Sequence, residues 1–177
     1  MAARSRLPLR GTARPREAAR ALFGRLRPRL RRRRPRSGFP DSGPEEKNVR
    51  TALTRFGLEN RARVLPPTDD IERCYEAADV FVLPSISEGL SNALLEAMAS
   101  GVAVLGSRVG GTKEAVEDGN TGLLFDPADD EALRAHLRKL AEEPELAGKL
   151  GAAGRERAER LFSLEAVADR YLKLYNG

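Results

Sequence analysis

From Arg61 onward the chain alternates short, wholly apolar runs with longer segments in which apolar and polar residues mix. RARVLP (61–66) predicts a short strand, and DDIERCYEAAD (69–79) a helix capped by Asp69 or Asp70. VFVL (80–83) is a continuous apolar run ended by Pro84, which predicts a strand buried on both faces. A loop and helix follow in PSISEGLSNALLEAMASG (84–101), then a strand in VAVLG (102–106), a helix from Thr112 to about Asp118, and a strand in GLLF (122–125). Segments 129–143, 145–162 and 164–175 predict helices, with Ser163 capping the last. Strands and helices in alternation, with the strands apolar throughout, predict an α/β fold: a parallel sheet flanked by helices on both faces. No fixed-period repeat is visible.

The segment 84–101 concentrates the candidate chemistry. It runs from a strand end into a helix start, the edge where open parallel sheets bind ligands. Gly89 has no side chain to keep a ligand from the backbone. The amides of Leu90, Ser91 and Asn92 are expected to open the helix unpaired and to form an anion site. Within the helix only Asn92, Glu96 and Ser100 are polar, a narrow stripe on an otherwise apolar cylinder. A carboxylate there needs a partner, and the hydroxyl pair of a ligand would serve Glu96. Glu88, in the loop, could face the same crevice. Plainer explanations stand beside these: Glu88 favours the positive helix end, or Glu96 pairs with a core arginine.

Composition changes the picture by dividing the chain. The 177 residues suit one domain with an added tail, and the formal charge of +5 averages two opposite parts. Residues 1–40 hold fourteen arginines, no lysine and one acid, Glu17, for a charge of +13, whereas residues 41–177 carry −8. Like-charge repulsion and few apolar residues predict a disordered tail over 1–40. A contact surface for nucleic acid or an anionic membrane stays open, as does non-native sequence translated from a wrong start. Phe23 and Phe39 stand alone, without the interleaved aromatics of a base-stacking surface, so no nucleic-acid partner is assigned. Ala18, Leu22 and Leu26 could share a helical face, which Pro28 ends.

No apolar run approaches the ~18–20 residues of a membrane helix, and Ala21-Leu22-Phe23 is too short for a secretory signal core. The tail also lacks the serines of an organelle presequence. The single cysteine, Cys74, excludes an internal disulfide and fits a reducing compartment, so a cytoplasmic location is expected, with peripheral membrane attachment open. Cys74 itself reads as a small core residue. His136, the only histidine, has no cysteine or acid at metal-ligand spacing. Arg108 and Lys113 flank a glycine pair and could meet phosphate. No GxGxxG or GxxxxGK[ST] is present, which removes dinucleotide and P-loop readings.

Four segments, in order, resemble a known family: P-S-x-x-E-G at 84–89, L-E-A-M-A-x-G at 95–101, V-G-G-x-x-E at 109–114 and D-G-x-T-G-L-L at 118–124. They are similar to the nucleotide-binding, C-terminal half of the group 1 retaining glycosyltransferases of the GT-B fold. LFSLEAVADRYLKLY at the end resembles that family's last helix. The resemblance covers roughly 42–177 and implies a Rossmann-like sheet. It implies that Glu88, the catalytic candidate, contacts the transferred sugar, and that Glu96 accepts from the ribose hydroxyls. Gly89, Leu90, Ser91 and Asn92 would meet sugar and diphosphate, and Gly110 and Gly111 would form a second glycine turn at the pocket edge. A tight turn into the helix at Thr112 explains those two glycines equally well. Glu114 matches a frequent family position, read here as a favourable helix start. No metal and no cofactor are implied.

A whole enzyme of that family has two Rossmann-like domains, and this chain resembles most of the second. DSGPEE (41–46) is similar to the turn after the family's second strand, so the strands present are expected to be the third to the sixth. The first strand and the Arg…Lys pair that holds the donor diphosphate then have no counterpart. In a 3-2-1-4-5-6 sheet the missing pair lies between strands three and four, so the rest pair across the gap or leave open edges. The expected organisation is a tail over 1–40 and an incomplete, apparently truncated donor-binding domain over 41–177. The expected function is sugar transfer from a nucleotide-sugar donor to an unknown acceptor, a glycan or a lipid-linked one, with an N-terminal acceptor domain missing and no turnover by this chain alone. Three alternatives remain: a non-catalytic nucleotide-binding module or half-enzyme, a sugar-nucleotide epimerase or phosphorylase on the same fold, and an arginine-tail nucleic-acid binder.

Overall fold

The computed structural model describes residues 37–40 as backbone, and residues 46–66, 68 and 70–176. The Ala18–Leu22–Leu26 face, the rest of the basic stretch before Ser37 and most of the DSGPEE turn lie outside those residues. The described elements are β1 (Ser37–Pro40), α1 (Glu46–Arg55), β2 (Ala62–Leu65), α2 (Ile71–Ala77), β3 (Val80–Leu83) and α3 (Asn92–Ala99). They continue with β4 (Ala103–Ser107), α4 (Thr112–Ala115), β5 (Leu123–Phe125), α5 (Asp130–Glu142), α6 (Pro144–Phe162) and α7 (Leu164–Asn176).

Two of these elements escape the apolar pattern. β1 lies inside the stretch assigned to the tail, and α1 buries none of its residues. The strands form two parallel sheets. β1 pairs with β2, Ser37 opposite Ala62. β4 lies between β3 and β5, with Val80 opposite Ala103 and Leu105 opposite Leu123. The strands therefore do not pair across the expected gap. With β1 standing before β2, one strand position rather than two separates the sheets in the 3-2-1-4-5-6 order.

The core follows from the period-2 geometry of β4, whose five residues are all buried. Val104 joins Leu94, Ala97, Met98, Ala115, Val116 and Leu124 in a cluster beneath α3, with Tyr75 and Ala158. Ala103 and Leu105 point the other way and join Leu123, Phe125, Leu140, Ala147 and Leu150, beneath α5 and α6. One central strand thus feeds two cores, which is why its sequence is apolar without alternation. β3 departs from the same expectation, because all four of its residues are only half-buried. The cause is position: among the described residues β3 is the edge of its sheet, with a partner on one side only.

Helix ends match side-chain chemistry. Asp129 accepts from the Ala132 amide (2.8 Å) at the start of α5, and Ser163 accepts from the Ala166 amide (3.1 Å) at the start of α7. Asp70 precedes α2 but makes no capping bond; its carboxylate pairs with Arg73 instead (2.6 Å). The helix predicted from Thr112 to about Asp118 stops at Ala115. Arg157 of α6 donates to the carbonyls of Glu114 (3.0 Å) and Ala115 (2.8 Å), occupying the acceptors a further turn would use. α7 buries no residue, and Leu164, Leu174 and Tyr175 on it are exposed.

Candidate functional site

The loop 84–91 leaves the carboxyl end of β3 and enters α3, and three sets of bonds fix its path. Ser107, at the end of the neighbouring strand β4 and fully buried, donates to the Ser85 carbonyl (2.5 Å), with the Leu83 carbonyl at 3.3 Å. The Ser85 hydroxyl in turn donates to Glu88 Oε2 (3.0 Å), and Glu88 is half-buried. The third tether is the glycine pair. The Gly111 amide donates to the Glu88 carbonyl (3.3 Å). A Cβ built on Gly110 would lie 1.7 Å from the Glu88 carbonyl oxygen, and one on Gly111 2.6 Å from that of Gly89. Gly110 also has φ +37. The glycines do form the turn into α4, and they let two backbones meet without side chains between them.

Gly89 is the opposite case. A Cβ there would meet nothing within 4 Å, so no protein neighbour demands a glycine at that position. Leu90 beside it is 48% exposed and Ile86 87% exposed, leaving the loop open on its outer side.

The helix start differs from expectation by two residues. Ser91 is the cap, in extended conformation, and its hydroxyl accepts from the Leu94 amide (3.4 Å) while its carbonyl takes the Leu95 amide (3.1 Å). The first turn is therefore Asn92, Ala93 and Leu94, not Leu90 to Asn92. The amides of Asn92 and Ala93 are the ones directed beyond the helix end. The partial positive charge of α3 gathers there, within the same loop as Glu88.

Glu96 sits one turn further along α3. Asn92 and Glu96 are exposed, and so is the apolar Ala99, so the exposed face is wider than the predicted stripe, while Leu94, Ala97 and Met98 on the opposite face are buried. Glu96 nonetheless has a partner. The Tyr75 hydroxyl, from α2, donates to Glu96 Oε2 (3.1 Å). The Tyr75 ring is 6% exposed and meets Phe81 edge-on, with centroids 5.7 Å apart. Burial, reinforced by the bond to Glu96, pushes the Tyr75 phenol well above its ordinary value, so it stays a donor. Among the described residues no arginine pairs with Glu96, the plainer alternative that the sequence left open.

Both acids thus have one carboxylate oxygen held by a hydroxyl, each from a residue the sequence reading passed over. Ser85 was in plain view within P-S-x-x-E-G. Tyr75 and Ser107 carried no signal, because their roles come from strand and helix neighbours 21 and 22 positions away.

Other candidates resolve differently. Arg108 is tied to Asp118 (2.5 Å), whose other oxygen accepts the Leu124 amide (2.9 Å). Burial works to raise the Asp118 pKa. The Leu124 amide, Arg108 and the charge of His136 outweigh it, and the carboxyl lies below its ordinary value. Lys113 is exposed on α4, and Glu114 occupies that helix's first turn. Cys74 lies mid-helix in α2, with its thiol pushed up by burial and by Asp70, the reverse of an activated thiol. Among the described residues no group of three or more His, Cys, Asp or Glu is arranged to hold a metal ion. Nor is any helix among them long and apolar enough to cross a membrane.

An open parallel α/β sheet with polar groups collected past its strand ends belongs to the doubly wound class, whose ligands bind at that edge. Within that class the chain belongs to the family Glycosyl transferases group 1, which matches it over residues 36–157. It is 38% identical over 149 residues to the alpha-maltose-1-phosphate synthase of Mycolicibacterium smegmatis, covering 78% of this chain and 38% of that one. It is 33% identical to the lipopolysaccharide core biosynthesis glycosyltransferase LpsE of Rhizobium meliloti, covering 75% of this chain and 39% of that protein. Among solved structures it is similar to sucrose-phosphate synthase from Thermosynechococcus elongatus, with TM-score 0.71, 34% identity, and 79% of this chain set on 37% of that one. Anabaena HepE, solved with UDP, shares the fold at TM-score 0.72 and 24% identity, over 79% of this chain and 39% of that one. The chain spans less than two fifths of the length of the first curated relatives it matches.

Proposed function

We propose that this chain supplies the donor-binding side of a glycosyltransferase that moves a sugar from a nucleotide-sugar donor to an acceptor, a glycan or a lipid-linked molecule. The observation that carries the proposal is the arrangement of the two acids. Glu88 and Glu96 flank one helix start, and a hydroxyl from Ser85 or Tyr75 holds one oxygen of each. In this reading Glu96 accepts from the ribose hydroxyl pair with its remaining capacity, and Glu88 positions the transferred sugar. The amides of Asn92 and Ala93 face the diphosphate and stabilise the charge that grows on it as the sugar leaves. Gly89 leaves room for the donor, Gly110 and Gly111 hold the Glu88 loop against α4, and Leu90 and Ser91 shape the approach. HepE solved with UDP and with UDP-glucose supports a donor of that kind. The basic stretch before residue 36 lies outside the family match, and its separation as a tail is part of this proposal.

The acceptor side belongs to the part of the relatives that this chain does not span, so the chain by itself is expected to give no turnover. Calorimetry of the full chain with UDP, GDP and ADP tests the donor site. One of the three should bind, and Glu96→Ala should weaken it about tenfold or more. Equal binding by wild type and Glu96→Ala would overturn the assignment. The openness of the loop around Leu90 favours a second reading, a nucleotide-binding module that works with a separate chain supplying the acceptor side. A transfer assay in which this chain is active above its Glu88→Ala variant would remove that reading.

A further inference from the structure

Glu96 is exposed, yet its carboxylate is bonded to a phenol that is almost wholly buried. That combination is unusual. An exposed glutamate samples many rotamers, and fixing one for a ligand costs affinity. A buried phenol must place its proton on some acceptor, and no other acceptor for the Tyr75 hydroxyl is present among the described residues. The ring is itself fixed, wedged edge-on to Phe81 of β3 and packed in the cluster beneath α3 with Leu94 and Met98. Its hydroxyl is therefore a rigid point from which a mobile carboxylate is held.

We propose that Tyr75 is a positioning residue for the donor nucleotide: it fixes Glu96 Oε2 in the free protein, so that the carboxylate meets the ribose hydroxyl pair already oriented. The inference rests on the ribose role given to Glu96 above. One lone pair of Oε2 goes to Tyr75, which leaves Oε1 and the second lone pair of Oε2 for the 2′- and 3′-hydroxyls. The phenol stays protonated across the working pH range, so it donates to the carboxylate and does not compete with it for ribose protons. Tyr75 touches no reacting atom and acts only through Glu96.

Tyr75→Phe removes the hydroxyl and keeps the ring, so the packing against Phe81 persists. Calorimetry on the full chain would use whichever of UDP, GDP or ADP binds, together with its 2′,3′-dideoxy counterpart, which lacks both hydroxyls, for wild type, Tyr75→Phe, Glu96→Gln and the double variant. Tyr75→Phe is expected to weaken the ribonucleotide roughly three- to tenfold, the range for one side chain immobilised on binding. The dideoxynucleotide should change by less than twofold, and Tyr75→Phe should add nothing in the Glu96→Gln background. Equal weakening of ribo- and dideoxynucleotide, or additivity with Glu96→Gln, would reduce Tyr75 to packing and overturn the proposal. Wild type binding the two nucleotides equally, or binding none, would overturn the ribose role of Glu96 itself, and the positioning role with it.

Discussion

The glycine pair at 110–111 offers the sharpest test of how the site is held. In Gly110→Ala the new Cβ would lie 1.7 Å from the Glu88 carbonyl oxygen, where an ordinary contact begins near 3.4 Å. Either the turn or the Glu88 loop must retreat by about 1.7 Å. The turn is anchored, because Thr112 and Ala115 behind it are fully buried, whereas the loop exposes Ile86 and Leu90. The loop is therefore the side that yields, and the bond from the Gly111 amide to the Glu88 carbonyl breaks with it. Relief by loop movement keeps the stability loss modest. About 1–2 kcal/mol comes from the left-handed backbone at φ +37, and about 1 kcal/mol from the lost hydrogen bond. Function should suffer more, since a shift on the order of 1 Å at a positioning group costs about a hundredfold. Gly119→Ala is the control: φ is +77 there, but the Cβ would meet nothing within 4 Å, so strain acts without displacement. Urea unfolding should show a loss of about 1–2 kcal/mol for Gly119→Ala and about 1 kcal/mol more for Gly110→Ala. Calorimetry with whichever of UDP, GDP or ADP binds, and with a sugar nucleotide of that base, should show a lost preference for the sugar nucleotide in Gly110→Ala alone. An unchanged preference in Gly110→Ala would refute the claim that this packing positions Glu88.

Two further predictions concern the scaffold. Leu94 is fully buried beneath α3, so Leu94→Ala should cost about 3 kcal/mol, read as a lower urea midpoint with unchanged slope; a loss under about 1 kcal/mol would mean that α3 does not anchor this core. Asp118 has its pKa lowered in the fold, so its contribution is full above the unfolded value near 4 and fades as pH falls through the folded value. Asp118→Asn should therefore be less stable than wild type at pH 7 by roughly 1 kcal/mol, the scale of a half-exposed ion pair, and the gap should close below about pH 4. A gap that persists in acid would assign the effect to geometry at the Leu124 amide.

Much of the fold was legible because parallel strands between two helical layers must be apolar on both faces. VAVLG and GLLF announced themselves in this way, and the last helix followed from its capping residue Ser163. The loop 84–91 was legible as a strand end, a glycine and a helix start in sequence, although the capping Ser91 puts that start two residues later than expected. Reading failed where the signal was tertiary. β1 holds only four residues, and the strand it pairs with begins more than twenty positions later. β3 has the letters of a central strand but lies at an edge, and burial depends on neighbours that no local pattern encodes. α4 stops early because an arginine more than forty positions away takes its last carbonyls.

The same division runs through the candidate site. The sequence by itself determined that two acids, a glycine and a helix start lie within nine residues, since chain connectivity enforces that proximity. Only the tertiary structure decided what holds them. Tyr75 reaches Glu96 from another helix, Ser107 fastens the Glu88 loop from the next strand, and Gly110 meets the Glu88 carbonyl from beyond β4. Hydrogen bonds and close backbone contacts act over about 3 Å of space whatever the separation along the chain, so their partners emerge only when the sheet has brought its strand ends together.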